Sequence, residues 1–134
     1  MKNSANNNKS IFENIRRIDD NGKEYWSSRD LAKTLDYSDY RNFEKVIERS
    51  KEACSLSNQK IEDHFVDLNE MVPIGSGAKR ELRSTKLTKY ACFLISLNVD
   101  RSKASREEAE SFFIDKSFNK TIDTPFSLRK LSID

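Results

Sequence analysis

Two segments of extended-chain character flank the tripeptide Gly75-Ser76-Gly77, and no other feature of the sequence restricts the fold as tightly. Glycine occurs at only three of 134 positions, so a Gly-Ser-Gly run marks a place where the backbone must turn sharply. Ahead of it, Phe65, Val66, Leu68, Met71, Val72 and Ile74 are rich in β-branched side chains, and Pro73 argues against a long helix. Beyond it, residues 81–87 can return as a second strand. Lys79 and Arg80 follow the turn directly, so the product is a hairpin with a flexible, cationic tip. The third glycine predicts a second hairpin: Phe12, Ile15 and Ile18 alternate loosely with charges before Asp20-Asn21-Gly22, and residues 23–26 return after it as a short strand.

Helical spacing fills the intervals. Ser27 followed by Asp30 fits an acidic capping box, and Leu31, Ala32 and Leu35 form an inward stripe behind it. Ser38 or Asp39 can cap a longer helix whose apolar face is Phe43, Val46, Ile47, Ala53 and Cys54 and whose other face carries Arg41, Lys45, Glu48 and Arg49, with Asn58 interrupting it. Thr88 can cap a helix through Tyr90, Phe93, Leu94 and Leu97, and Ser102 or Ser105 can start another through Ala109, Phe112 and Phe113. Residues 1–10 contain almost nothing apolar and are expected to be a disordered tail. The domain is expected over residues 11–116, and residues 117–134, with Pro125, form an irregular C-terminal tail. The fold class is α+β: one small domain with helix-turn-helix-like helices and two β-hairpins, in the element order of a winged helix-turn-helix.

Charge narrows the function. With 24 Lys and Arg against 22 Asp and Glu, a net charge of +2 is too small to announce nucleic-acid binding, but the charges are segregated. Residues 79–89 hold Lys79, Arg80, Arg83, Lys86 and Lys89 against Glu81 alone, whereas residues 62–70 hold Glu62, Asp63, Asp67 and Glu70 with only His64. Cys54 and Cys92 are far apart, with no second Cys or His at metal-ligand spacing, and read as reduced, buried thiols. No apolar run is long enough to cross a bilayer and the Asn-rich start is no signal peptide, so no membrane partner and a cytoplasmic location are expected. No cofactor and no metal are expected.

The candidate DNA contacts are Tyr40, Arg41, Asn42 and Lys45 at the start of the longer helix, with Lys79, Arg80, Arg83 and Lys86 on the hairpin. Early residues of a recognition helix point at base edges, where Arg suits guanine and Asn suits adenine. A glycine-bearing, Lys- and Arg-rich wing suits phosphates, to which the backbone can come close. The competing reading of Arg41, Glu44, Lys45, Glu48 and Arg49 is a solvated face, and Tyr37 and Tyr40 serve equally as base-stacking rings or as staples between helices. Gly75-Ser76-Gly77-Ala78-Lys79-Arg80 lacks the spacing and the hydroxyl of a phosphate-binding loop. His64 with Glu62, Asp63 and Asp67 is the one trace of metal-assisted nuclease chemistry, and acids at such a junction are usually solvated. No catalytic residue is assigned.

Four motifs in order carry a resemblance: Tyr25-Trp26-Ser27-Ser28-Arg29-Asp30-Leu31-Ala32, Asp36-Tyr37-Ser38-Asp39-Tyr40-Arg41-Asn42-Phe43, Glu62-Asp63-His64-Phe65 and Ile74-Gly75-Ser76-Gly77-Ala78-Lys79-Arg80-Glu81-Leu82. They resemble the N-terminal half of the bacterial DNA-damage-inducible protein D family, which is similar to the Bro-N domains of phage antirepressors and large DNA-virus proteins. The likeness covers roughly residues 12–97 and fades over 98–134, where Asn98, Asp100, Ser102-Lys103 and Phe112 stand in familiar places. It implies a winged-helix-like Bro-N arrangement and a non-catalytic role on single- or double-stranded DNA or on a DNA-bound repair or regulatory protein. The alternative is a protein-interaction module that modulates a repair, repressor or defence protein. Fuller family members continue well beyond this length, so a short form competing with a longer relative is a further expectation. A homodimer suits a helix-turn-helix protein, although no heptad seam supports one.

Overall fold

The computed structural model describes residues 10–114, so the expected tails lie outside the described residues except for Ser10. Ten elements follow one another: α1 (Ile11–Asn14), β1 (Arg17–Ile18), β2 (Glu24–Ser27), α2 (Ser28–Thr34), α3 (Tyr40–Leu56), α4 (Ile61–His64), β3 (Phe65–Pro73), β4 (Lys79–Leu87), α5 (Lys89–Asn98) and α6 (Arg106–Phe113). The four strands form one antiparallel sheet in the order β1-β2-β4-β3. The fold is therefore α+β with two hairpins, β1-β2 and β3-β4, joined through the pairing of β2 with β4.

The core lies at the base of the β3-β4 hairpin. Trp26, Leu87 and Phe65 stand opposite one another across β2, β4 and β3, all buried, and make the row on which the helices pack. Helix α5 closes that face with Ala91, Cys92, Leu94 and Ile95, and α3 and α6 pack against it. Phe12 and Phe113 complete the core from the two ends of the described chain, with ring centroids 5.3 Å apart, and Trp26 lies 5.1 Å from Phe113. The Trp26 indole Nε1 donates to the Phe12 carbonyl at 2.8 Å, which satisfies the polar atom of an otherwise apolar side chain.

Several elements follow from local chemistry. Ser27 caps α2 by accepting from the Asp30 amide, Asp39 caps α3 by accepting from the Arg41 amide, and Thr88 caps α5 by accepting from the Ala91 amide. The buried stripe of α3 is Phe43, Val46, Ile47, Ser50 and Cys54, with the Ser50 hydroxyl returned to the Val46 carbonyl at 2.8 Å. Both cysteines are free and buried, and burial pushes each thiol upward in pKa.

Four details differ from expectation. Residues 11–14 form a helical turn rather than strand, because Ser10 caps it through the Phe12 amide at 3.1 Å and Phe12 is drawn into the aromatic core. Ser10, expected in the tail, thus caps the first helical turn. The first hairpin closes through a five-residue loop, in which Asp19 Oδ1 accepts from the amides of Asn21 and Lys23, and only Gly22, not Asn21, takes positive φ. Strand β4 begins at Lys79, two residues earlier than expected, and a short helix, α4, stands where the sequence shows no clear period.

Candidate nucleic-acid interface

The β3-β4 hairpin has two chemically distinct ends. At its tip the ladder closes with Pro73 opposite Lys79 and Val72 opposite Arg80, and Ile74 and Ala78 continue it through a 3.0 Å bond from the Ile74 amide to the Ala78 carbonyl. Gly75, Ser76 and Gly77 all have positive φ, with values of 94°, 42° and 79°, so the chain reverses on three consecutive left-handed residues, two of which carry no Cβ. Every residue from 73 to 81 is exposed. Lys79, Arg80 and Arg83 make no side-chain ion pair or hydrogen bond with any described residue, whereas Arg83 accepts a bond from Arg29 Nε through its backbone carbonyl.

At the root the same strands are tied down. Glu70 accepts from the Ser27 hydroxyl and from Arg17 at 3.0 Å, and Arg17 also reaches Asp30 at 2.7 Å. Burial works to raise the Glu70 pKa, but the hydroxyls of Ser27 and Ser84 and the Arg17 guanidinium outweigh it and hold the carboxyl below its ordinary range. Ser84, itself buried, bonds to Ser28 at 3.0 Å, and the Ser28 hydroxyl accepts from the Thr85 amide at 2.8 Å. This chain of hydroxyls anchors the arm to the start of α2.

Lys86 belongs to the root as well. Its Nζ lies 2.8 Å from Asp19 Oδ2 and 4.9 Å from the Tyr25 ring centroid. Lys86, with the amides of Lys23 and Asn21, holds Asp19 down at about 2. Tyr40 is likewise committed to the fold: its hydroxyl pairs with Ser28, the Arg29 guanidinium stacks on its ring at 3.7 Å, and burial raises its pKa. Of the eight residues singled out in the sequence, Tyr40 and Lys86 are therefore occupied by internal contacts.

Helix α3 presents two polar faces. Tyr40, Glu44, Glu48 and Lys51 look across a cleft at Asp67, Arg83 and Thr85 of the hairpin, so the face nearest the arm carries more acid than base. Asn42, Lys45 and Arg49 line a different cleft with Asp39, Asp100 and Lys103. Arg41 is 84% exposed in its side chain and, among the described residues, pairs only with Asp39, next but one in sequence. The structure thus gathers Lys79, Arg80 and Arg83 on the arm and Asn42 and Lys45 on the helix, but separates the two groups by Glu44 and Glu48.

Sequence reasoning placed Arg49 on one helix face with Lys45 but left it out of the candidate contacts, and it missed Lys103 as a neighbour of Asn42 and Lys45. Helical spacing at 42, 45 and 49 was signal enough for Arg49. Lys103 could not be found that way: it arrives through a tertiary turn in which its Nζ donates to the Asp36 carbonyl at 2.7 Å and lies 4.4 Å from the Tyr37 centroid. His64, weighed with three nearby acids, bonds to Thr88 at 2.7 Å, sits 4.8 Å from the Tyr90 ring and has its pKa lowered by burial. Among the described residues, no three His, Cys, Asp or Glu side chains converge as a metal site. No helix among them is long and apolar enough to cross a membrane.

Comparison with known proteins adds two findings. The profile of the BRO family, N-terminal domain, matches residues 14–112. DNA damage-inducible protein D of Escherichia coli (strain K12) is 46% identical over 102 residues, which are 76% of this chain and 37% of that protein, so the match spans well under half of the relative's length. No solved structure matches the chain.

Proposed function

The chain belongs to the BRO family of N-terminal domains, and from that membership and the chemistry of the arm we propose that it is a non-enzymatic DNA-binding module of the DNA-damage response or of phage gene control. The observation that carries this is the set of three exposed, unpaired cations, Lys79, Arg80 and Arg83, on a hairpin that projects from the core. Cations without internal partners can replace the counterions of a phosphate backbone at little cost, whereas Lys86 would first have to leave Asp19. Arg41, Asn42 and Lys45 form a second, separate contact surface on α3, in the manner of a winged helix. The name of the Escherichia coli relative supports the DNA-damage setting.

Fluorescence-anisotropy titration with single- and double-stranded DNA at low and physiological salt tests the proposal. Binding should be salt-sensitive, and replacing Lys79 and Arg80 together by Ala should flatten the salt slope by about two units. Unchanged binding in that variant would remove the arm from the interface.

A second function, docking onto a repair, repressor or defence protein, is favoured by one observation: Glu44, Glu48 and Asp67 line the cleft beside the arm and repel phosphate. It predicts DNA affinity too weak to survive physiological salt, together with a partner whose capture is lost on Glu44→Lys with Glu48→Lys.

A further inference from the structure

We propose that the tip of the β3-β4 arm is an apolar wedge that enters the minor groove of duplex DNA and unstacks a base step, with Lys79, Arg80 and Arg83 on the flanking phosphates. This rests on the DNA-binding function proposed above and specifies the duplex, the groove and the mode of contact.

Four observations combine. The apolar side chains of the outer arm are exposed: Ile74, next to the turn, is 54% accessible, and Met71, three residues back on the opposite face, is 58%, with Pro73 between the two. An apolar group held in water at the end of a projecting hairpin gains free energy when it finds a dry neighbour. The register places Val72, Arg80, Glu70 and Leu82 on one face of the ladder and Met71, Glu81, Pro73 and Lys79 on the other. On the first face the lone acid, Glu70, is already satisfied by Ser27 and Arg17, so toward the tip that face offers apolar surface plus an unopposed guanidinium. The turn itself is slim, with nothing within 4 Å of the place where a Cβ would stand on Gly75 or Gly77.

Charge complementarity selects nucleic acid as the occupant, and side-chain chemistry selects the groove. A major-groove reader leads with polar side chains matched to base edges, whereas the leading segment of the arm, Ile74 to Ala78, carries one hydroxyl, that of Ser76, and is otherwise apolar or without a side chain, with Lys79 and Arg80 set behind it. Apolar wedges flanked by Lys and Arg are the minor-groove solution, in which the cost of unstacking is offset by the surface that the bent duplex brings into contact. Arg83 and Lys79 stand four residues apart on one strand, roughly 14 Å along the arm, so the cations can track the backbone while the tip enters.

The test uses a duplex with fluorophores at its ends and 2-aminopurine at a central TA step, a flexible step that opens readily. The wild-type chain should raise 2-aminopurine fluorescence and the energy transfer between the ends. Ile74→Ser, a change at an exposed position, should still bind the duplex at low salt through Lys79, Arg80 and Arg83, more weakly than wild type, and at saturating protein should lose both signals. Lys79→Ala with Arg80→Ala should lose affinity. If wild type binds and the lysine-arginine variant does not, yet neither fluorescence nor end-to-end transfer changes, the wedge is overturned and the DNA-binding function stands. Equal signals from wild type and Ile74→Ser also overturn the wedge. Absence of duplex binding at low salt overturns the wedge, and only if single-stranded DNA is not bound either does the DNA-binding function fall with it.

Discussion

The root and the tip of one hairpin are built from the same two strands and do opposite things. At the root, Leu87 and Phe65 are buried, Lys86 is paired with Asp19, and Glu70 is held by Ser27 and Arg17. At the tip, Ile74, Lys79 and Arg80 are exposed, and Lys79 and Arg80 pair with no acid among the described residues. Cations of the same type, seven residues apart on β4, thus carry different work: Lys86 is a structural ion pair and Lys79 is available to a ligand. A basic residue is a candidate contact only if the fold has left it unpartnered.

The largest expected effect breaks the root. Leu87→Ala should cost about 2–5 kcal/mol in chemical denaturation, because a fully buried leucine leaves a cavity, whereas Ile74→Ala should stay within about 0.5 kcal/mol. Similar losses at the two sites would dissolve the distinction. Next, Lys79→Ala with Arg80→Ala should weaken DNA binding roughly tenfold or more at low salt while leaving the unfolding midpoint in place; a drop in stability instead would make the tip a structural element.

Smaller effects sharpen the root. Glu70→Gln should cost about 1–2 kcal/mol, since the carboxylate accepts charge-assisted bonds in a site where its side chain is 11% exposed. Its folded pKa lies below the ordinary value of 4.5, so the stability it contributes is present above 4.5 and is lost as pH falls through the folded value. Urea unfolding from neutral to acid pH should therefore show a decline below 4.5 that is shallower in Glu70→Gln. The smallest change is Lys86→Met. Asp19 is lowered from 3.8 to about 2, so its contribution is complete above 3.8 and disappears as pH falls to about 2. The variant should flatten the stability profile in that window and leave DNA affinity nearly unchanged; a large loss of affinity would return Lys86 to the interface.

Much of the fold was legible because its signals are local. Ser27, Asp39 and Thr88 cap the helices expected behind them, and Gly75 and Gly77 stand at the turn between two strands. The helical turn at residues 11–14 was misread because Phe12, Ile15 and Ile18 fit a loose alternation, and the deciding contact, Phe12 on Phe113, spans the whole described chain. The start of β4 was placed late because Lys79 and Arg80 have the composition of a loop, while ladder pairing with Pro73 and Val72 makes them strand. For the candidate interface, the residue types were visible but their availability was not: Tyr40 and Lys86 are bound by Ser28, Arg29 and Asp19, which lie between 11 and 67 residues away in sequence.

The sequence alone determined the α+β class, the order of the four longer helices and the two hairpins, and the clustering of positive charge just beyond Gly77, because caps, turn residues and apolar periods act over a few neighbouring positions. Tertiary structure alone decided which cations are free and which apolar side chains stay wet. Whether a charge is neutralised or a methyl group is buried depends on what distant segments bring within a few ångströms, and among the described residues the sheet order β1-β2-β4-β3 brings Asp19 to Lys86 and no acid to Arg80.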